Sequence, residues 1–331
     1  MAKTKLKMLY VYEERIPNNL RELVLSTLEG DVCTVVDSMT YQTPDSEKIE
    51  KLKKAEAVFF APGRHLDDAV LAHARHIKLM QLWSSGYDKF NVAGATRYGI
   101  PVANNGGANA SSVAEHAVLL MLAVYKWLPN SCTRTVTGDW KGNSHGMDMF
   151  TLEGKTLGII GFGNIGRQVA KKVRGFGMEV LYYDIKRADG RIEKELKARF
   201  TPLEELLKTS DIITLHLHLN EQSRNIIGEK EFNLMKKGAV LINVSRAQLV
   251  EPTAFFGALK NNKIHGAGLD VYLEEPTSPN DPLLTLPNVV ATPHMAGTTY
   301  DAYISVLAHA LENFRRVRNG KPPLWVVNNA G

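Results

Sequence analysis

Cysteine is nearly absent: Cys33 and Cys132 are the only thiols in 331 residues, far apart and without His or Cys neighbours at ligand spacing. That excludes a disulfide scaffold and a structural zinc and suits the reduced thiols of a cytoplasmic protein. Long apolar runs are missing too. The longest, Ala117 to Tyr125, falls well short of the ~20 residues that cross a bilayer, so no membrane span is expected. Near the start, Leu6 to Tyr12 is broken by Lys7 and followed by Glu13 and Glu14 with no small-residue cleavage site, which argues against a signal peptide. An excess of one charge is also lacking. The 40 basic and 35 acidic residues leave +5, mixed along the chain, which favours an anionic small molecule over a nucleic-acid face. Repeats and low-complexity tracts do not occur.

What is present is length for about two domains and an alternation of short β-rich runs with helical patterns. The runs Thr156–Ile160, Met178–Tyr183, Ile212–Leu217, Ala239–Asn243, Gly266–Leu269 and Val289–Ala291 predict a six-stranded parallel sheet covered on both faces. Lys7–Tyr12, Asp31–Val36, Ala57–Phe60, Leu79–Leu82 and Val102–Ala103 predict a second, smaller α/β unit. Between them, Ser111 to Leu128 reads as one buried helix with Ser111 and Ser112 as cap candidates. A helix over Thr299–Val317 could return to the N-terminal unit, and Lys186–Arg199 reads as a solvated loop and helix. The expected fold class is α/β with two doubly wound parallel-sheet domains. A Rossmann dinucleotide-binding domain is expected over 104–298, and a discontinuous, flavodoxin-like substrate domain over 1–103 and 299–331.

After the strand Thr156–Ile160 comes Gly161-Phe162-Gly163-Asn164-Ile165-Gly166, then an amphipathic helix. Gly161 permits a tight turn, Gly163 lets backbone amides approach a pyrophosphate, and Gly166 lets helix and strand pack closely. The helix N-terminus offers free N–H groups to the phosphates. The second strand ends in Asp184, an acid placed to hold ribose hydroxyls and repel a 2′-phosphate, so NAD (NADH) is expected over NADP. Lys186 and Arg187 are the rival feature, since two cations there could admit the phosphate. Candidate cofactor residues are Gly161, Gly163, Asn164, Ile165, Gly166 and Asp184, with Val113, His216, Val244, Asp270 and Gly297.

Three polar segments fall at the carboxyl ends of strands, where such sheets bind ligands. They are Asn243-Val244-Ser245-Arg246, the stretch from Leu269-Asp270 to Glu274-Glu275-Pro276, and Thr292-Pro293-His294-Met295-Ala296-Gly297. With the glycine motif, in this order and spacing, they resemble the D-isomer-specific 2-hydroxyacid dehydrogenase family over nearly the whole chain. The resemblance implies that Arg246 binds substrate, that Glu275 and His294 complete the catalytic set, and that a loop matching Ser84-Ser85-Gly86-Tyr87-Asp88 binds the substrate carboxylate. Ser85 and Gly86 are the substrate candidates there. It also makes Asn105–Asn109 an interdomain segment with Val113 near the nicotinamide, and Thr137–Phe150 part of a homodimer interface. The hydrophobic Trp140 and Met-rich stretch of that segment suit an interface better than a free loop.

The chemistry asks for the same residue types. An Arg fork can address the carboxylate and carbonyl oxygens of a 2-oxo acid, and a protonated His can quench the charge that hydride transfer builds on oxygen. A neighbouring Glu favours and orients the imidazolium, and no metal is needed. Duller readings are an Arg246–Asp270 ion pair, a solvated Glu274–Glu275 loop and a merely hydrogen-bonded His294. The chain departs from the family pattern at Ala247, at Glu251, and at His216-Leu217-His218, where a proline is usual. A phosphite dehydrogenase-like enzyme and an NAD-sensing corepressor-like binding protein are the alternatives. The substrate side chain is expected against Phe60–Arg64, Trp83–Tyr87 and His145–Met149, where Arg64 suggests a second anion and the aromatics an apolar group.

Overall fold

The structure, a computed structural model, describes residues 4–61, 66–140, 142 and 146–328. Arg64 and His145 lie outside the described residues. Contacts divide the chain into two units, Met1–Asn109 with Tyr300–Gly331, and Ala110–Thr299.

The first unit holds strands β1 (Leu6–Tyr12), β2 (Cys33–Thr40), β3 (Ala57–Phe60), β4 (Leu79–Leu82) and β5 (Val102–Ala103) and helices α1 (Asn18–Leu28), α2 (Asp45–Lys53), α3 (Asp68–Leu71) and α4 (Val92–Arg97). All strand pairs are parallel, in the order β2-β1-β3-β4-β5, which is the flavodoxin-like winding. The strands β3 and β4 are buried at every residue, as a sheet covered on both faces requires.

The second unit contains helices α5 (Ala110–Tyr125), α6 (Leu128–Val136), α7 (Asn164–Val173), α8 (Gly190–Leu196), α9 (Leu203–Thr209), α10 (Glu229–Leu234) and α11 (Pro252–Lys260). Its strands are β6 (Thr156–Ile160), β7 (Glu179–Tyr183), β8 (Ala198–Phe200), β9 (Ile212–Leu215), β10 (Val240–Asn243), β11 (Gly266–Leu269) and β12 (Val289–Ala291). They run parallel in the order β12-β11-β10-β9-β6-β7-β8. That is the Rossmann order with one strand added, and its winding reverses between β6 and β9, where such sheets open a ligand crevice. The sheet therefore has seven strands where the sequence predicted six. β8 was hidden because it is three residues long inside a charged stretch. Ala198 and Phe200 pack inward while Arg199 points out towards Glu179 at 3.3 Å.

Two further expectations change. The helix predicted over Ser111–Leu128 ends at Tyr125 and restarts at Leu128, with Trp127 in a left-handed conformation (φ 50°) between. Ser111 and Ser112 lie inside α5 and do not cap it. The Ser111 hydroxyl accepts from Lys172 and that of Ser112 donates to the Ala296 carbonyl at 2.8 Å.

The chain then returns to the first unit through α12 (Tyr300–Arg318). Val306, Leu307, Ala310 and Phe314 bury against Tyr10, Phe59 and Trp83, and the Asn313 amide donates to Gln81 at 2.7 Å. The first unit runs to Asn109 because Asn104–Gly107 still bond within it: the Asn104 N–H donates to the Trp325 carbonyl and that of Asn105 to Ser84. Here Gly106 has φ +63°, and a Cβ on it would lie 2.3 Å from the Trp325 ring. His309 stacks on the same ring at 4.3 Å.

Candidate active site

At the winding reversal the glycines do what their spacing requires. Gly161 turns the chain at φ +98°, and a Cβ there would meet the His216 backbone at 2.7 Å. A Cβ on Gly166 would lie 2.2 Å from the Gly161 carbonyl oxygen, so only glycine lets α7 start this close to β6. At Gly163 nothing lies within 4 Å of that position, leaving the helix N-terminus open to an anion. Asn164 and Ile165 form its first turn. Asp184, at the end of β7, accepts from the Phe162 N–H at 2.7 Å and so braces the loop. The loop after β9 presents His216, whose Nε2 shares a hydrogen bond with Thr214 at 2.9 Å while Nδ1 is buried without a protein partner. Burial pushes this imidazole down to about 3, so it is neutral near pH 7. A glycine cradle that a Cβ would fill, an open helix end and an orphaned ring nitrogen fit a dinucleotide.

Arg187 does not stand ready for a phosphate. Its guanidinium makes two bonds of 2.9 Å to Glu193, whose carboxylate also accepts from the Tyr182 hydroxyl at 2.5 Å. Those partners hold Glu193 down to about 2. Lys186 is exposed.

At the carboxyl ends of β10, β11 and β12 the three polar segments take separate tasks. His294 has φ +52°, a region that costs a non-glycine residue on the order of 1 kcal/mol. Its Nδ1 lies 2.9 Å from Glu275 Oε1, and its side chain is 44% exposed against 22% for Glu275. The Tyr272 N–H donates to the same Glu275 oxygen, and the Tyr272 hydroxyl donates to the Thr292 carbonyl at 2.9 Å. Arg246 follows β10 in an extended conformation, with Nη1 donating to the Ser245 carbonyl and its own carbonyl accepting from Asn243. Asp270 does not pair with Arg246. Its fully buried carboxylate accepts from the Thr292 hydroxyl at 2.6 Å and from the N–H groups of Met295 and Ala296 at 2.9 and 2.8 Å. The pattern gave no sign of this turn towards the His294 loop, nor of Tyr272 and Thr292 as its supports. Val113 and Val244 are nearly buried in the core of this unit, and Gly297 is half-buried at the end of the loop.

The comparisons decide the family. The model described as "D-isomer specific 2-hydroxyacid dehydrogenase, NAD binding domain" matches residues 118–296, more than half of the chain. The chain belongs to that family. It is 38% identical over 292 residues to a glyoxylate reductase of Korarchaeum cryptofilum (strain OPF8), a span of 87% of each protein. A solved glyoxylate reductase from Paecilomyes thermophila superposes with a TM-score of 0.83 at 28% identity, covering 98% of each chain. An acyclic imino acid reductase in complex with NADPH and D-Arg gives 0.83 at 26% identity, covering 98% of this chain and 100% of that one. This D-2-hydroxyacid dehydrogenase is thus an oxidoreductase with a dinucleotide-binding domain.

Within its first unit the dehydrogenase holds the Ser84–Asp88 loop by its carbonyls. Asn104 Nδ2 donates to the Ser85 carbonyl at 3.0 Å and the Ser84 hydroxyl to that of Gly86 at 2.6 Å. The N–H groups of Ser85 and Gly86 have no partner among the described residues, as an anion-binding loop needs. Trp83 is not a free wall of a pocket: it is buried between Phe59 and Tyr303, with ring centroids at 5.9 and 5.4 Å. Two departures from the family pattern are absorbed locally. Glu251, in place of an aspartate, caps α11 by accepting from Thr253 and Ala254, and next to His218, where proline is usual, the Leu217 carbonyl is held by the Ser245 hydroxyl.

Proposed function

We propose that this enzyme reduces a small 2-oxo acid, with glyoxylate the first candidate, to a D-2-hydroxy acid using NADH, His294 serving as the acid and base. The observation that carries the reading is the 2.9 Å contact between His294 Nδ1 and Glu275 Oε1, with the imidazole still reachable from solvent. The bound nicotinamide supplies the hydride. With Nδ1–H donated to Glu275, His294 Nε2 holds the proton that neutralises the oxygen where charge develops, and Glu275 balances the imidazolium. Arg246 offers a planar, permanently charged fork to the carboxylate and carbonyl oxygens. Within the first unit, the N–H groups of Ser85 and Gly86, which have no partner among the described residues, suit a carboxylate. On the cofactor side, Asp184 would hold the ribose hydroxyls, and the engagement of Arg187 by Glu193 supports NAD over NADP.

The test is NADH consumption with glyoxylate, hydroxypyruvate and pyruvate, alongside NAD reduction by phosphite, in wild type, His294→Ala and Arg246→Lys. We expect glyoxylate to be turned over. His294→Ala should lower turnover about 10²- to 10⁴-fold with NADH binding retained. Arg246→Lys should raise the KM and lower kcat, because an ammonium cannot make the two-point contact. Near-native reduction by His294→Ala would refute the mechanism, and turnover of phosphite alone would refute the substrate class.

A further inference from the structure

His116 lies on α5 outside every motif, and it is one of the few polar residues buried in the second unit. Its Nε2 is 2.9 Å from the Thr292 hydroxyl and 3.5 Å from Asp270 Oδ1. Burial lowers its affinity for a proton and the Asp270 charge opposes that only in part, so the ring is held towards its neutral form. The direction of the contact follows from counting hydrogens. Thr292 has one hydroxyl hydrogen, directed at the buried Asp270 carboxylate at 2.6 Å, so towards His116 it can only accept. Nε2 therefore carries the imidazole hydrogen, and a chain runs from His116 through Thr292 to Asp270.

That chain ends on a carboxylate that also takes the N–H groups of Met295 and Ala296. Residues 292, 295 and 296 bracket His294, which is exposed and alone of them has a left-handed conformation. Four residues before His116, on the same face of α5, the Ser112 hydroxyl donates to the Ala296 carbonyl at 2.8 Å. One helix face thus grips both ends of the loop. A displacement of about 1 Å at such a site can cost on the order of 10²-fold in rate.

We infer that His116 is a positioning residue for the reaction, holding His294 in place through Thr292 and Asp270. The inference rests on the reading of His294 as the acid and base. It separates Asp270 from a purely cofactor-binding part, because the two predict different kinetic changes.

The experiment compares His116→Leu, His116→Gln and Thr292→Val, measuring kcat, KM for glyoxylate and the dissociation constant for NADH by fluorescence. His116→Leu removes the donor and should lower kcat at least tenfold with NADH binding within about twofold of wild type. Glutamine reaches the same position with an N–H donor and should restore most of the loss. Thr292→Val breaks the chain from the other end with little change in volume, and the double variant His116→Leu with Thr292→Val should be no worse than the weaker single. Wild-type kcat in His116→Leu, losses that follow NADH affinity, no rescue by glutamine, or additive losses in the double variant would each overturn it. If His294→Ala is inactive while His116→Leu is native, only this inference falls. If His294→Ala is native, the reading beneath it falls as well.

Discussion

At the end of β7 two side chains three positions apart have opposite engagements. Asp184 spends one oxygen on the glycine loop and keeps the other without a protein partner among the described residues, whereas both arms of the Arg187 fork are taken by Glu193. On the proposed preference for NAD, Glu193 would act as a second, indirect guard against a 2′-phosphate. Glu193→Gln should raise the efficiency with NADPH a few-fold while leaving NADH unchanged, and adding Arg187→Ala should remove the gain. Equal NADPH and NADH efficiencies in both variants and wild type would contradict this. The acid at the end of β7 could be read from the sequence because it follows the glycine motif at a fixed interval. Its neighbour's occupation could not, since Glu193 meets Arg187 only once α8 has folded back. The same contrast separates His294 and Glu275 from His116. The former stand in short polar segments at strand ends, but a single histidine in the apolar pattern of α5 looks like any buried residue.

Asp211 ties three strands at the opposite edge of the second sheet. Its N–H donates to the Thr156 carbonyl, its own carbonyl accepts from Val240, and its carboxylate accepts from the Thr156 N–H and from Lys236, each at 2.9 Å. Burial works against its charge, but the Thr156 N–H and the Lys236 ammonium outweigh it and hold the carboxyl below the ordinary range. A lowered carboxyl stabilises the fold above the unfolded value of ~3.9 and loses that contribution as pH falls through the folded one. Asp211→Asn should cost about 1 kcal/mol near neutral pH, discounted for the half-exposed Lys236, with the difference from wild type starting to shrink below about pH 4 and vanishing only once pH has fallen through the folded value. Urea unfolding across that range checks it, and a constant difference at all pH values would assign the effect to packing instead. Strands with four or five buried residues were legible from composition. The three-residue β8 was not, and the break before α6 was missed because it is made by Trp127 at positive φ, without a glycine to mark it.

For the molecule as a whole, three of the four most exposed large apolar side chains among the described residues lie in and after α6, a helix without a buried residue. Val136, Trp140 and Met147 are 88%, 85% and 93% exposed. Such a surface is the reason to expect a second copy of the chain against it. Light scattering at micromolar concentration should give twice the chain mass, and Trp140→Ser should raise the dissociation constant about tenfold or more. A wild-type monomer under those conditions would leave this surface without its expected occupant. The two-unit plan rests on smaller things as well, among them the Trp325 ring pressed against Gly106 where the first unit hands over to the second. No side chain fits at 106 while that indole is present, so the two positions are not free to drift apart. In any lineage where 106 has gained a methyl group, 325 should already have shrunk, and the pair should covary across more than two hundred intervening residues.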